Sequence, residues 1–221
     1  EQRPGEVPGV REQRAARVLQ PAVLLARRYG AHLIGLHVSP GLLYVPPLPS
    51  AGGILGMIKE HERQVCDRIR DAFENATRGQ GFQAEMRFLN PRGRDDLPAL
   101  VMQHARTADL IVASQVEAGF DAASVLDFPE RLAIDSGRPV LMIPLTGLSG
   151  DIGNKVLVAW NGSREAARAV FDSLPLLKAS REVIVLGIEQ IRSSGDTLPL
   201  PDTAIGASLA RHGINVSVRT T

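Results

Sequence analysis

The residues of this chain best placed to do chemistry together are Asn161, Gly162 and Ser163, which close the apolar run KVLVAW (155–160). An amide that donates and accepts, a glycine and a hydroxyl at a strand end can hold a polar ligand by hydrogen bonds. The same residue types also cap helices, because Asn and Ser accept from the open backbone N–H groups of a first turn. Trp160, just before them, either stacks on a ligand or fills the pocket itself. Other chemistry is sparse. Histidines 32, 37, 61, 104 and 212 are scattered, and His32 and His37, five apart on one strand, point to opposite faces. No metal site and no serine–histidine–acid triad emerges from the spacing. Asp95-Asp96 suit the start of a helix, where carboxylates meet the positive end of the dipole. Cys66 falls on an apolar helical stripe and reads as a small buried hydrophobe. AGGILG (51–56) lacks the Lys-Ser/Thr of a phosphate loop and reads as a flexible turn in a long loop.

Composition narrows the function classes. The chain has 221 residues, 44% of them hydrophobic and 22% charged, as in an ordinary globular protein. Lys+Arg of 25 against Asp+Glu of 24 leaves a net charge of +1, without the basic excess of a nucleic-acid binder. Aromatic residues at 4% leave little for stacking bases. A single cysteine excludes an intrachain disulfide and any multi-cysteine metal centre. No apolar run approaches the roughly 18 residues of a membrane span. The expectation is a reduced, cytoplasmic protein that binds neither nucleic acid nor membrane. The first residue is Glu rather than Met, so the natural start is expected to lie upstream.

The positioning elements follow from periodicity. Residues 1–10 read as a tail. Ala15, Val18, Leu19, Ala22, Val23 and Ala26 recur at three and four, predicting a helix over 11–29 that Gly30 stops. AHLIGLHV (31–38) reads as a strand buried on both faces. A Pro/Gly-rich loop (39–55), a helix (56–78) and an alternating strand (82–89) follow. Next come a helix (95–107), the strand ADLIVAS (108–114), a loop (115–127), a short helix (128–136) and the strand PVLMIP (139–144). TGLSGDIGN (146–154) reads as a linker. Beyond it lie the strand 155–160, a helix (164–178), the strand 182–188, a Pro/Ser/Gly loop (189–201), a helix (202–212) and a last strand (214–220). Regular alternation of strand and helix predicts an α/β fold with a parallel sheet.

The two halves repeat. Helix 11–29 and strand 31–38 match helix 164–178 and strand 182–188, and a Pro-rich loop, a helix and a strand follow in each half. The second half starts one strand earlier, and nothing in the first half matches 155–160. The expected organisation is a tail (1–10), a first domain (11–145) lacking its first strand, a linker (146–154), and a second domain (155–221) lacking its C-terminal part.

VLVAWNGSREAARAV, ADLIVAS and SGRPVLMIP, in this order and at these separations, resemble a tandem universal stress protein (UspA-like). The resemblance covers nearly everything from residue 11 onward. It implies an open, Rossmann-like parallel sheet of strand order 3-2-1-4-5 with helices on both faces, in two tandem copies. It makes the missing strand of the first copy the central one, whose loss leaves backbone groups unpaired on both neighbours. Either the sequence is a fragment, or strand 155–160 fills the vacant slot and merges the halves.

The resemblance also implies a nucleotide site at the carboxyl ends of the strands. ATP-binding members carry a glycine-rich phosphate loop after the fourth strand. The matching segment here, SQVEAGFDAASVLDF (114–128), has one glycine, Gly119, and three acids, Glu117, Asp121 and Asp127. The first domain is therefore expected not to bind ATP. The matching loop of the second domain falls beyond Thr221. Gly150, Gly153, Gly162 and Ser163 nearly spell the family motif, but a phosphate loop cannot enclose a whole strand. What remains for ATP in the second domain is Asn161, Gly162 and Ser163 near base and ribose, with Ile188 at the adenine position. Asn161 stands where ATP-binding members carry an acid, and Ile188 also reads as ordinary core.

The leading expectation is a non-catalytic stress-response protein acting by ligand binding and association. Its domains would pair as a pseudo-dimer, with PVLMIP as a contact edge and further homo-oligomerisation or other protein partners. A nucleotide hydrolase or transferase using the second domain is the alternative, as is a degenerate pocket for another small ligand.

Overall fold

In the computed structural model, the structure describes residues 10–39, 51–90, 97–115, 128–148, 150, 152–187 and 202–220. The chain divides into two compact units, Glu1–Leu148 and Ser149–Thr221.

In the first unit, helix α1 (Val10–Tyr29) buries Leu25 and Ala26. It ends where the apolar period stops, with Gly30 at φ +59° and the Ala31 N–H donating to the Ala26 carbonyl at 3.0 Å. That left-handed glycine closes the helix at no steric cost. Strand β1 (Leu33–Val38) follows, then helix α2 (Ala51–Thr77). The start of α2 corrects one expectation, since AGGILG lies in its opening turns and is neither turn nor loop. Each glycine costs about 1 kcal/mol in a helix. The long stripe downstream, with Val65, Ile69 and Phe73 buried, offsets that.

Strand β2 (Ala84–Leu89) pairs parallel with β1, Leu33 opposite Ala84 through Val38 opposite Leu89. Helix α3 (Leu97–Ala105), strand β3 (Ile111–Ser114), helix α4 (Phe128–Asp135) and strand β4 (Val140–Ile143) complete the unit. β4 pairs parallel with β3. β1 is covered on both faces. Leu36 and Val38 pack on Val101, Met102, Ala105 and Leu132 of α3 and α4, whereas a Cβ on Gly35 would meet Phe73 of α2. Ile111 and Ala113 of β3 reach the same α3–α4 cluster.

β1 and β3 thus share a core without sharing hydrogen bonds. The first unit holds two separate two-stranded pairs, β1–β2 and β3–β4, in place of one continuous sheet. No strand among the described residues pairs with the second edge of β1 or β3. Strand 155–160 belongs to a sheet of the second unit.

That sheet has the order β5-β6-β7, all parallel, from β5 (Lys155–Trp160), β6 (Glu182–Gly187) and β7 (Val216–Thr220). Val158 and Trp160 point inward with Val183 and Val185, meeting Val170, Leu177, Ile205 and Leu209. Leu157, on the opposite face of β5, is 62% exposed, so this strand is buried on one side only. The single helix expected over 164–178 is broken into α5 (Arg164–Asp172) and α6 (Leu174–Lys178). Pro175 has no N–H to continue the ladder, and Ser173 serves as C-cap of one helix and N-cap of the next. Helix α7 (Asp202–Arg211) packs on β7, with Gly206 set against Val218. Among the described residues no helix is long and apolar enough to cross a membrane.

Candidate functional site

Polar residues gather where strands end. At the end of β5, Gly162 turns the chain at φ +72°, a conformation that suits glycine. The Asn161 Oδ1 accepts from the Ser163 N–H at 3.0 Å, an Asx turn. Ser163 is the N-cap of α5, and its Oγ accepts from the Ala166 N–H at 3.1 Å. Glu165 sits in the first turn. Its own backbone N–H, then Arg164, hold its carboxyl below the ordinary value. The N-terminus of α5 is therefore already supplied with a hydroxyl acceptor and an anion. A phosphate there would have to displace Glu165.

Beside this turn, Trp160 is buried within the core of the second unit. Its indole N–H has no hydrogen-bond partner among the described residues. Ile188, the residue expected against adenine, lies outside the described residues. So do Gly119, Glu117, Asp121 and Asp127, and Asp95-Asp96. At the end of β3, the buried Ser114 Oγ accepts from Arg17 of α1 at 3.1 Å.

The sequence reading missed a second grouping, at the end of β1. His37, on β1, meets Glu62 and Cys66, four apart on one face of α2. The His37 Nε2 lies 3.9 Å from a Glu62 carboxylate oxygen, and the Cys66 Sγ lies 3.9 Å from the same oxygen. Both separations exceed an N–H···O hydrogen bond. The His37 Nε2 is buried with no hydrogen-bond partner among the described residues. The Ser39 hydroxyl lies 3.6 Å from the Cys66 Sγ. Arg11 of α1 bonds both Glu62 carboxylate oxygens through Nη1, at 2.8 Å to the one that faces His37 and Cys66 and 2.6 Å to the other.

Burial is the main influence on His37 and lowers its pKa, disfavouring the charged ring, although Glu62 pulls the other way. Burial pushes the Glu62 carboxyl up, but Arg11 outweighs it and keeps the group below the ordinary range. Cys66 is therefore no inert hydrophobe, since it borders an imidazole, a carboxylate and a hydroxyl. The signal lay in the four-residue spacing of Glu62 and Cys66, but nothing in the sequence placed β1 over that face. The other histidines are elsewhere: His104 Nδ1 contacts Arg87 at 3.2 Å, His212 stands edge-on to Phe171, and His32 and His61 are exposed.

The chain matches no protein-family model and no curated protein. Among solved structures it is similar to a universal stress protein from Archaeoglobus fulgidus DSM 4304. The TM-score is 0.56 at 16% sequence identity, over 92% of this chain and 71% of that one. At that identity the likeness is one of fold, and the fold is the UspA-like α/β arrangement of parallel strands and helices that the sequence resemblance implies.

Proposed function

We propose that this chain works as a universal stress-type protein in the cytoplasm, regulating by ligand binding and association without catalysing a reaction. The fold likeness is the observation that carries this reading. The state of the strand ends supports the non-catalytic part. Ser114, Asn161 and Ser163 are engaged in hydrogen bonds that shape the fold.

The ligand class proposed for the second unit is a nucleotide such as ATP. Asn161 keeps amide hydrogens to offer a base or ribose. Glu165 keeps the phosphates away from α5. No nucleotide is proposed for the first unit. Association is proposed through β4, which pairs only with β3 among the described residues and exposes Met142. The test is titration of the protein with ATP and ADP, with and without Mg²⁺, alongside a phosphate-release assay. Binding weakened by Asn161→Ala, without turnover, is expected. Mg²⁺-dependent turnover would favour the hydrolase alternative.

A further inference from the structure

We propose that His37, Glu62 and Cys66 form a binding site for a single divalent transition-metal ion of the zinc class. The inference stands on the first unit alone and is independent of the nucleotide reading.

The donor atoms argue first. An imidazole nitrogen, a carboxylate oxygen and a sulfur lie within 4.8 Å of one another. Zinc binds these three donor types at about 2.0–2.3 Å in a tetrahedron, whose edges are then roughly 3.3–3.8 Å. The Nε2–Oε1 and Sγ–Oε1 separations are both 3.9 Å, close to those edges, and the third separation is within 4.8 Å. A mixed N, O and S set disfavours magnesium and calcium, which take oxygen ligands.

The unpartnered His37 Nε2 argues second. A buried polar nitrogen without a partner is costly and calls for an explanation. A metal ion supplies the missing partner at the atom concerned. Arg11 argues third. Its Nη1 bonds both carboxylate oxygens, including the one turned to His37 and Cys66, as an outer residue that orients a ligand does. Thiolate and carboxylate together balance the two positive charges of the ion. Binding converts the Cys66 thiol to thiolate and sends its proton to solvent. Three protein ligands leave a fourth position for water.

The test loads the full chain, first stripped with a chelator, with Co²⁺ and then Zn²⁺. One Co²⁺ per chain is expected, with a thiolate-to-cobalt charge-transfer band and the strong visible bands of four-coordination, both bleached by Zn²⁺. Cys66→Ser should abolish the charge-transfer band, and His37→Gln and Glu62→Gln should each weaken binding at least tenfold. Arg11→Gln should weaken it about 10–100-fold. His61→Gln should leave it unchanged. Should the Cys66 or His37 variants fail to fold, alkylation of wild-type Cys66 decides the matter without them. Zn²⁺ should slow that alkylation at least tenfold. An alkylation rate unaffected by Zn²⁺, a wild-type spectrum without the thiolate band, or unchanged binding in folded Cys66→Ser would overturn the proposal.

Discussion

The Ser163 Oγ accepts the N–H of Ala166 at 3.1 Å, which makes the end of β5 and the start of α5 one continuous hydrogen-bonded turn. The residues best placed to contact a ligand in the second unit are thus also the residues that start its first helix. Removing the hydroxyl should cost stability before it costs any function. Ser163→Ala should destabilise the protein by about 1 kcal/mol, and Ser163→Thr or Ser163→Asp by less. Urea denaturation checks this, and an unchanged midpoint for Ser163→Ala would show the cap to be idle.

Gly35 of β1 is packed tightly against Met86 of β2 and Phe73 of α2. A Cβ there would lie 2.5 Å from the Met86 sulfur and 2.8 Å from the Phe73 ring. The sulfur can swing aside, but the ring is buried and has little room. Gly35→Ala should therefore destabilise by about 1–3 kcal/mol, as overpacking does. A companion Phe73→Leu change should recover part of the loss. Equal loss in the single and double variants would mean that the ring is not the obstacle.

Acid sensitivity should come in part from Glu12. Burial pushes its carboxyl up, but Arg68, at 2.8 and 3.1 Å, outweighs that and holds it below its ordinary 4.5. A carboxyl lowered on folding contributes stability that is complete above the ordinary value and lost as pH falls through the folded one. Stability measured from pH 7 downward should fall below about 4.5, and Glu12→Gln should flatten that fall. Arg68 is 39% exposed, so the effect is a fraction of that of a buried pair, and salt should reduce it. A Glu12→Gln profile parallel to wild type would remove the pair from the account.

Association through β4 separates two neighbouring residues. Ile143 is fully buried, so a charge there should unfold the first unit and reveal nothing about assembly. Met142 is 40% exposed and free of that penalty. Met142→Glu should leave the melting temperature within a few degrees of wild type and shift sedimentation towards the monomer. A folded Met142→Glu protein that sediments like wild type would locate assembly elsewhere.

The alternation of helix and strand was legible because each element carries its own period. The stripe of α1, the Gly30 stop and the run KVLVAW are local signals, and the structure places the elements within a few residues of where those signals put them. Other features depended on contacts that no local pattern carries. AGGILG looks like a breaker until the stripe ending at Phe73 is counted with it. Pro175 splits a helix whose apolar positions run straight through it. Leu157 lies within the apolar run KVLVAW and is nonetheless largely exposed. The site followed the same rule. Asn161 to Ser163 are adjacent in sequence and their cap was readable, whereas His37 and Glu62 are 25 positions apart and meet only because β1 lies against α2.

The central claim is that this protein binds a small ligand and does not transform it. The most direct measurement is calorimetric titration of the full chain with ATP in Mg²⁺, with inorganic phosphate assayed in the same samples. The account predicts saturable heat for one nucleotide per chain, reduced by Asn161→Ala, and phosphate release no faster than in protein-free buffer. Steady Mg²⁺-dependent phosphate release, or no heat at concentrations up to about millimolar, would contradict it.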